Sequence, residues 1–496
     1  MMRKLWVAFV LVVLVRCAPG PPDAQRVLQR ASENMGAANL RSIHYSGSGQ
    51  VFGFGQSYSP NDPWPRFHLT RYSRAINYET PSSQEEVVRR QAEDPPRGGS
   101  FQPLIGERRQ VEAVSGNYAW NLVQNIADPE AAFQPPSPTP SPALDEVTQR
   151  QLEIWLTPHG FLQAALNSTP TAQSQTVGNR TVTVVSFSFD KYRVNGTIGE
   201  QNLVEKVVTW MDSPWLGDML VETTYSNYQD FGGVKFPMQI TQRRGGHPTL
   251  ELTVSEARPN MPVAIEVPES VRQVTAEPER VESQRLAAGV WLLEGGHNSV
   301  AIEFQDSVAV VEAPGDEERS LAVIAEVKRL LPDKPIRYLI NTHHHVDHSG
   351  GIRTYVAEGA TIVTHEINRA FYERLFQAPH TLAPDRLSQA PRPASFETVA
   401  DKHVLSDGTR TLEIRHIQGN GHNGGLIMAY LPRERLLIEA DAFSARPGTP
   451  LPAVPNVFTV NLYENIRRLG LRVDRVVPIH GRVVPLAELR KAVGEG

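Results

Sequence analysis

The sequence predicts an α+β chain, with a mostly antiparallel β region followed by a region in which strands and helices alternate. Three observations carry this reading. From Ile43 to about Pro262, short segments alternate polar and apolar residues with period two, as at 181–189, 204–210, 221–225 and 250–254. That is the pattern of antiparallel strands with one wet face. Past Arg285 the grammar changes: strand-like runs at 290–293, 299–313 and 336–340 surround a helical stretch at 316–331. The histidines follow the same division. The first 280 residues hold only His44, His68, His159 and His247, whereas the rest crowd into the second region.

The elements follow in order. Residues 23–36 place Val27, Leu28, Ala31 and Met35 at helical spacing, so a short amphipathic helix opens the folded part. Gly232 and Gly233 mark a turn between strands. The polar stretch 80–99 reads as a loop, and 132–143 is rich in Pro and Ser, its core at 135–142 being unable to join a sheet. Residues 144–166 read as helix interrupted near Pro158. The charged stretch 268–285 lacks apolar periodicity and reads as a linker. Later strands are expected at 360–363, 412–416, 426–431 and 436–439. The division is therefore a leader at 1–24, a β-rich domain at 25–267, the linker at 268–285 and a second domain at 286–496.

The leader is read from Arg3 and Lys4 followed by an apolar run from Leu5 to Val15, too short for a membrane span and typical of a secretory signal. Export to the periplasm or outside the cell is the expectation. Cys17, the single cysteine, stands where a bacterial lipoprotein carries its lipid, but Arg16 occupies a position that wants a small residue. Membrane attachment is expected only if Cys17 is lipidated. Once Cys17 is removed with the leader no thiol remains, which excludes disulfides and thiolate-rich zinc sites. A formal net charge of -5 gives no basic footprint for nucleic acid, so a small-molecule substrate is the expected partner.

The densest chemistry lies at 342–351, where His343, His345, Asp347 and His348 precede Gly350 and Gly351. His343 and His345 lie two apart and share a face in extended backbone, and Asp347 and His348 follow on a turn. Imidazole and carboxylate suit zinc and similar divalent ions. Four candidates this close crowd a single four-coordinate ion, and two ions a few ångströms apart relieve the crowding. His422 stands in a glycine-rich turn, Asp441 ends the run 436–441, and His480 ends the run 476–480. His344 alternates away from its neighbours, which gives it a packing or supporting role. His365, His403 and His416 read as ordinary surface or core residues, His297 as a loop residue near a pocket, and Asp407 as a turn residue. The glycosylation-type triplets at Asn167, Asn179 and Asn195 read as plain strand and turn.

This set resembles the metallo-β-lactamase-fold superfamily, whose pattern is HxHxDH followed by a single His, a single Asp and a final His. The resemblance covers about 287–496. It implies an αββα four-layer sandwich with two Zn2+ at one edge of the sheets, iron or manganese being the alternatives. In the family, His343, His345 and His422 would hold one ion, Asp347, His348 and His480 the second, and Asp441 would bridge them. Asp347 would be the catalytic carboxylate, orienting a hydroxide that attacks an acyl or phosphoryl centre. An aspartate at 441 is similar to glyoxalase II-like and lactonase-like members rather than β-lactamases, so an exported ester, lactone or thioester hydrolase is expected. The alternatives are a β-lactamase or phosphodiesterase on the same fold, an iron-dependent sulfur dioxygenase, and a binding protein with a vestigial site. In the first domain, residues 225–237 resemble the strand-turn-strand of periplasmic lipoprotein-carrier folds, which implies an acyl or lipid ligand there.

Overall fold

The computed structural model describes residues 22–126, 139–275, 278–445 and 454–495. Residues 1–21 of the leader expected at 1–24, Arg16 and Cys17 among them, and most of the Pro/Ser-rich stretch lie outside these, whereas Asp23 and Ala24 open the first helix. The first domain is one antiparallel sheet of 13 strands. It runs as a meander, and the first strand, Ser42–Phe52, pairs with both the second, Arg66–Asn77, and the last, His247–Pro259. Three helices, Ala24–Met35, Val147–Trp155 and Pro158–Leu166, pack on the sheet. Asp23 caps the first of them by accepting from the amides of Gln25 and Arg26, and the apolar stripe read from the sequence buries Leu28, Ala31 and Met35. The break near Pro158 is the junction of the other two, where Thr157 caps Gly160 N at 3.2 Å and Pro158 takes the first helical turn.

His159 is buried among these helices and stacks on Phe236, its Nε2–H donating to the Met35 carbonyl at 3.3 Å. Burial pushes its imidazole down to about 4. The unfolded chain takes up this proton near 6.5, so the residue's contribution is full above that pH and is lost as pH falls toward 4. In urea titrations at pH 7 and pH 4.5, His159→Gln is expected to lose up to ~3 kcal/mol less on acidification than the wild type.

The second domain stacks two sheets, one of seven strands and one of six. Their facing sides bury Val290, Leu292, Ile302, Ile340, Ile414, Ile427, Ile438 and Val477 in one core. Helices Glu317–Leu330, Ile352–Glu358 and Arg369–Gln377 cover the outside of the first sheet. Helices Val457–Arg468 and Leu486–Ala492 cover the outside of the second. This is the expected four-layer αββα sandwich. Trp64 and Trp215 of the first domain are buried in the outer core of the seven-stranded side, Trp215 lying 5.3 Å from the Phe371 ring. No helix among the described residues is long and apolar enough to cross a membrane.

Four local expectations need correction. Residues 80–99 are not a loop throughout: Ser82–Gln91 is a strand paired on both sides. It reads as polar because Glu85 and Arg89, with Val87 between them on the same face, line an open cavity instead of an apolar core. Ser141–Pro142 does join the sheet, pairing with Asn121 and Trp120 at its edge, where a proline costs no ladder bond. The stretch 268–285 holds a helical turn, Glu269–Arg272, and most of the edge strand Glu282–Ala287, whose charged residues suit an exposed edge. The single strand expected at 299–313 is a hairpin, Ser299–Glu303 and Val308–Val311.

Candidate metal centre

The site is assembled where parallel strands end. Val308–Val311 runs parallel to Ile336–Ile340, and Leu436–Glu439 parallel to Arg475–Pro478. Glu312, His343, Asp441 and His480 lie just past the carboxyl ends of these four strands, the usual ligand edge of such sheets. Asp441 and Glu312 adopt left-handed backbone, with φ of 61° and 72°. Non-glycine residues hold that conformation only where their surroundings fix it.

Two groups of donor atoms result. His343, His345, His422 and Asp441 form one, and Asp347, His348, Asp441 and His480 the other, each with its atoms within 4.8 Å of one another. In the first, His343 Nε2 lies 3.0 Å from His345 Nδ1 and 3.2 Å from His422 Nε2, and Asp441 Oδ2 lies 2.9 Å from His422 Nε2. In the second, His480 Nε2 is 3.0 Å from His348 Nε2 and 2.7 Å from Asp441 Oδ1, and Asp347 Oδ2 is 3.6 Å from His348 Nε2. Ligands at roughly 2.0–2.2 Å from a tetrahedral ion stand about 3.3–3.6 Å apart, close to these spacings.

The outward ring atoms fix the inward ones. His348 Nδ1–H donates to buried Glu312, which turns Nε2 toward Asp441 Oδ2 at 3.1 Å. His345 Nε2–H donates to the Ser57 carbonyl at 2.8 Å, leaving Nδ1 bare toward His343. Glu312 also accepts from the Thr342 amide at 2.6 Å, so one carboxylate holds both the histidine string and a ring. Burial, reinforced by His348, holds His343 down at about 3, and burial keeps His345 well below the ordinary imidazole range. Burial would raise Asp441, but the imidazoles of His348, His480 and His422 keep it well below the carboxylate range. Burial would lower His348, but the carboxylates of Asp441, Asp347 and Glu312 hold it well above the ordinary imidazole range, so a cation would take the place of its proton. Imidazole nitrogens converging on an ionised carboxylate are the donor set that borderline divalent cations take. The residues fit the group.

The structure thus brings together all seven residues singled out from the sequence. His297 joins them, its ring 4.4 Å from that of His480. His344 is turned away, as alternation implied, with Nε2–H donating to Ser57 Oγ at 3.0 Å and Nδ1 accepting from Asn423 at 3.1 Å. His365 and His416 pair with each other at 4.4 Å, and His403 meets Glu397 at 2.8 Å.

Sequence reasoning missed Glu312, whose only signal was an acid ending an apolar strand as Asp441 does. It also missed Asn341, which donates to the His348 carbonyl at 3.1 Å and accepts from the Tyr372 hydroxyl. The loop around Gln56 and Ser57, from the first domain, gave no local signal. Gln56 Nε2 donates to Asp347 Oδ1 at 2.7 Å, and Gly55 lies so near that a Cβ there would sit 2.9 Å from Val346 Cβ. Gly99 closes on the same place, where a Cβ would meet Gln56 Oε1 at 1.9 Å and His345 Cε1 at 3.0 Å. The centre opens into a cavity of about 1660 Å³ lined by both domains. Glu312→Gln is expected to weaken metal binding about 10–100-fold, read as the chelator concentration that strips half the metal from each protein.

Residues 292–480 match the Metallo-beta-lactamase superfamily. The C-terminal part of the chain is therefore a metallo-beta-lactamase superfamily domain, joined to a large antiparallel sheet domain. Among curated proteins it is 27% identical over 196 residues to the 2,4-dinitroanisole O-demethylase subunit alpha of Nocardioides sp. (strain JS1661). That match covers 38% of this chain and 55% of the relative, so the chain spans about half the length of the protein it matches. Similar solved structures include the metallo-beta-lactamases of Pontibacter korlensis (16% identity) and Hirschia baltica (20% identity). Each match has a TM-score of 0.34 and covers 44% of this chain and 98% of the other. The rubredoxin oxygen:oxidoreductase of Desulfovibrio gigas is 15% identical at TM-score 0.34, with 43% of this chain and 60% of that one covered.

Proposed function

We propose that this protein is a metal-dependent hydrolase of ester, lactone or thioester bonds, exported from the cell, with two divalent cations, zinc foremost, held by the seven converging residues. The observation that carries the reading is the pair of donor groups sharing Asp441. When bound, such a cation pair supplies an activated water near neutral pH and an electrophile for a substrate oxygen.

The chain's own groups do the rest. Asp347 Oδ1 is fixed by the Gln56 amide, which leaves Oδ2 facing His348, His480 and, at 3.9 Å, His297. A carboxylate held in this way accepts a proton at Oδ2 and returns it to a leaving group. His422, Asp441, His480 and His297 border the cavity, so a substrate enters from that side. The closed side is sealed by Ser57, Gly99 and Asn423 against His345, which excludes bulk water from the rings.

Metal content by mass spectrometry, followed by a panel of p-nitrophenyl esters, lactones, thioesters, β-lactams and phosphodiesters with an oxygen electrode in line, tests the reading. Zinc-dependent turnover of an ester, lactone or thioester without oxygen uptake is expected. Iron with oxygen consumption and no hydrolysis would contradict it. N-terminal sequencing of the mature protein tests export.

A further inference from the structure

The cavity extends well beyond the metal centre, along one face of the first domain's sheet. Two other arginines on its wall have carboxylate partners: Arg74 has Glu85 at 3.6 Å and Arg244 has Glu153 at 2.6 Å. Arg89 differs. Its side chain lines the same cavity and the residue is only 7% exposed, yet no carboxylate of the described residues lies within 4.0 Å of it. Among the described residues its Nε has no hydrogen-bond partner, while a terminal nitrogen meets Ser100 Oγ at 3.5 Å and the guanidinium lies over the face of Phe67 at 4.6 Å. Burial pushes its guanidinium down to about 10, with Glu112 acting against that, so it stays cationic at neutral pH.

Directly opposite Arg89 on the neighbouring strand stands Arg108. It shares the cavity face, donates to Asn125 at 3.0 Å and lies over the Phe101 ring at 3.4 Å. A buried cation without a counter-ion is costly, and an anion in the cavity beside Arg89, on the face that Arg108 shares, relieves that cost. Ser100 and Phe101, which touch the two arginines, adopt left-handed backbone at φ 62° and 70°, local strain of the kind found at ligand sites. The place is tied to the metal centre. Ser100 N donates to Gln56 Oε1 at 2.9 Å, and the Gln56 amide donates to Asp347.

We propose that Arg89 and Arg108 form an oxyanion-binding subsite that holds a carboxylate or phosphate group of the substrate while its scissile bond lies at the metal centre. The last clause rests on the hydrolase reading; the subsite itself does not. On this account the first domain selects anionic substrates.

Calorimetric titration of the full-length, chelator-treated protein with glutarate and with inorganic phosphate tests the subsite apart from metal and turnover. At least one should bind, and Arg89→Met and Arg108→Gln should each weaken it tenfold or more. Tighter glutarate binding identifies a carboxylate, tighter phosphate binding a phosphate. Arg89→Met should also keep a urea midpoint at or above the wild type's, since it removes an uncompensated buried charge. A purely structural arginine would lower the midpoint and leave binding alone. With the metal-loaded enzyme, the ratio of kcat/KM for mono-p-nitrophenyl glutarate to that for p-nitrophenyl butyrate should fall at least tenfold in either variant. No binding of either anion, or equal binding by wild type and both variants, overturns the subsite. Arg89-dependent binding in a metal-loaded protein that cleaves no ester, lactone or thioester supports the subsite and sinks the hydrolase reading instead.

Discussion

Asp441→Asn is expected to lower kcat/KM on the order of 10³-fold, about 4 kcal/mol of transition-state stabilisation, and to reduce bound metal from two ions per chain toward one. Asp441 belongs to both donor groups, with Oδ2 toward His422 and Oδ1 toward His480. The amide keeps the shape and one carbonyl oxygen but loses the charge that compensates two cations. Asparagine also tolerates the left-handed backbone at this position, so the loss is not one of folding. Steady-state kinetics beside metal analysis of the same preparation checks it. Unchanged metal content with normal turnover would remove Asp441 from the centre.

Asp347→Asn should act on turnover more than on metal. The carboxylate is positioned by Gln56 and faces three imidazoles. On the proposed hydrolase reading its replacement removes a general base, worth about 10²–10⁴-fold in rate. The expected result is a fall in kcat of that order, with the protein folded and most of its metal retained. Near-normal kcat in a fully loaded variant would show that Asp347 takes no proton.

Much of the second domain was legible because its signals are local. Apolar runs such as 336–340 and 436–439 bury every layer of a two-sheet core, and the residues just past their ends are ligand types. His343, His345 and His348 announced a cation because nothing else needs them so close together. Glu312 was hidden since a lone acid at a strand end is common, and only the fold reveals that it touches His348 and Thr342. Gln56 and Ser57 were invisible for a stronger reason: they lie almost 300 residues away from Asp347 and His345 in the chain, at |i−j| of 291 and 288. In the first domain, period two predicted strands wherever one face met an apolar core. It failed at Ser82–Gln91, where the inward face meets a cavity, and the charged Glu85 and Arg89 that helped to mask the strand are among those lining it.

The central claim is that seven side chains converge to hold a pair of cations. Anomalous diffraction at the zinc edge, from crystals grown with zinc, tests it most directly. The account predicts two peaks, one among His343, His345 and His422 and one among Asp347, His348 and His480, with Asp441 touching both. No peak in that cleft, or His422 and His480 turned away from it, would contradict the account.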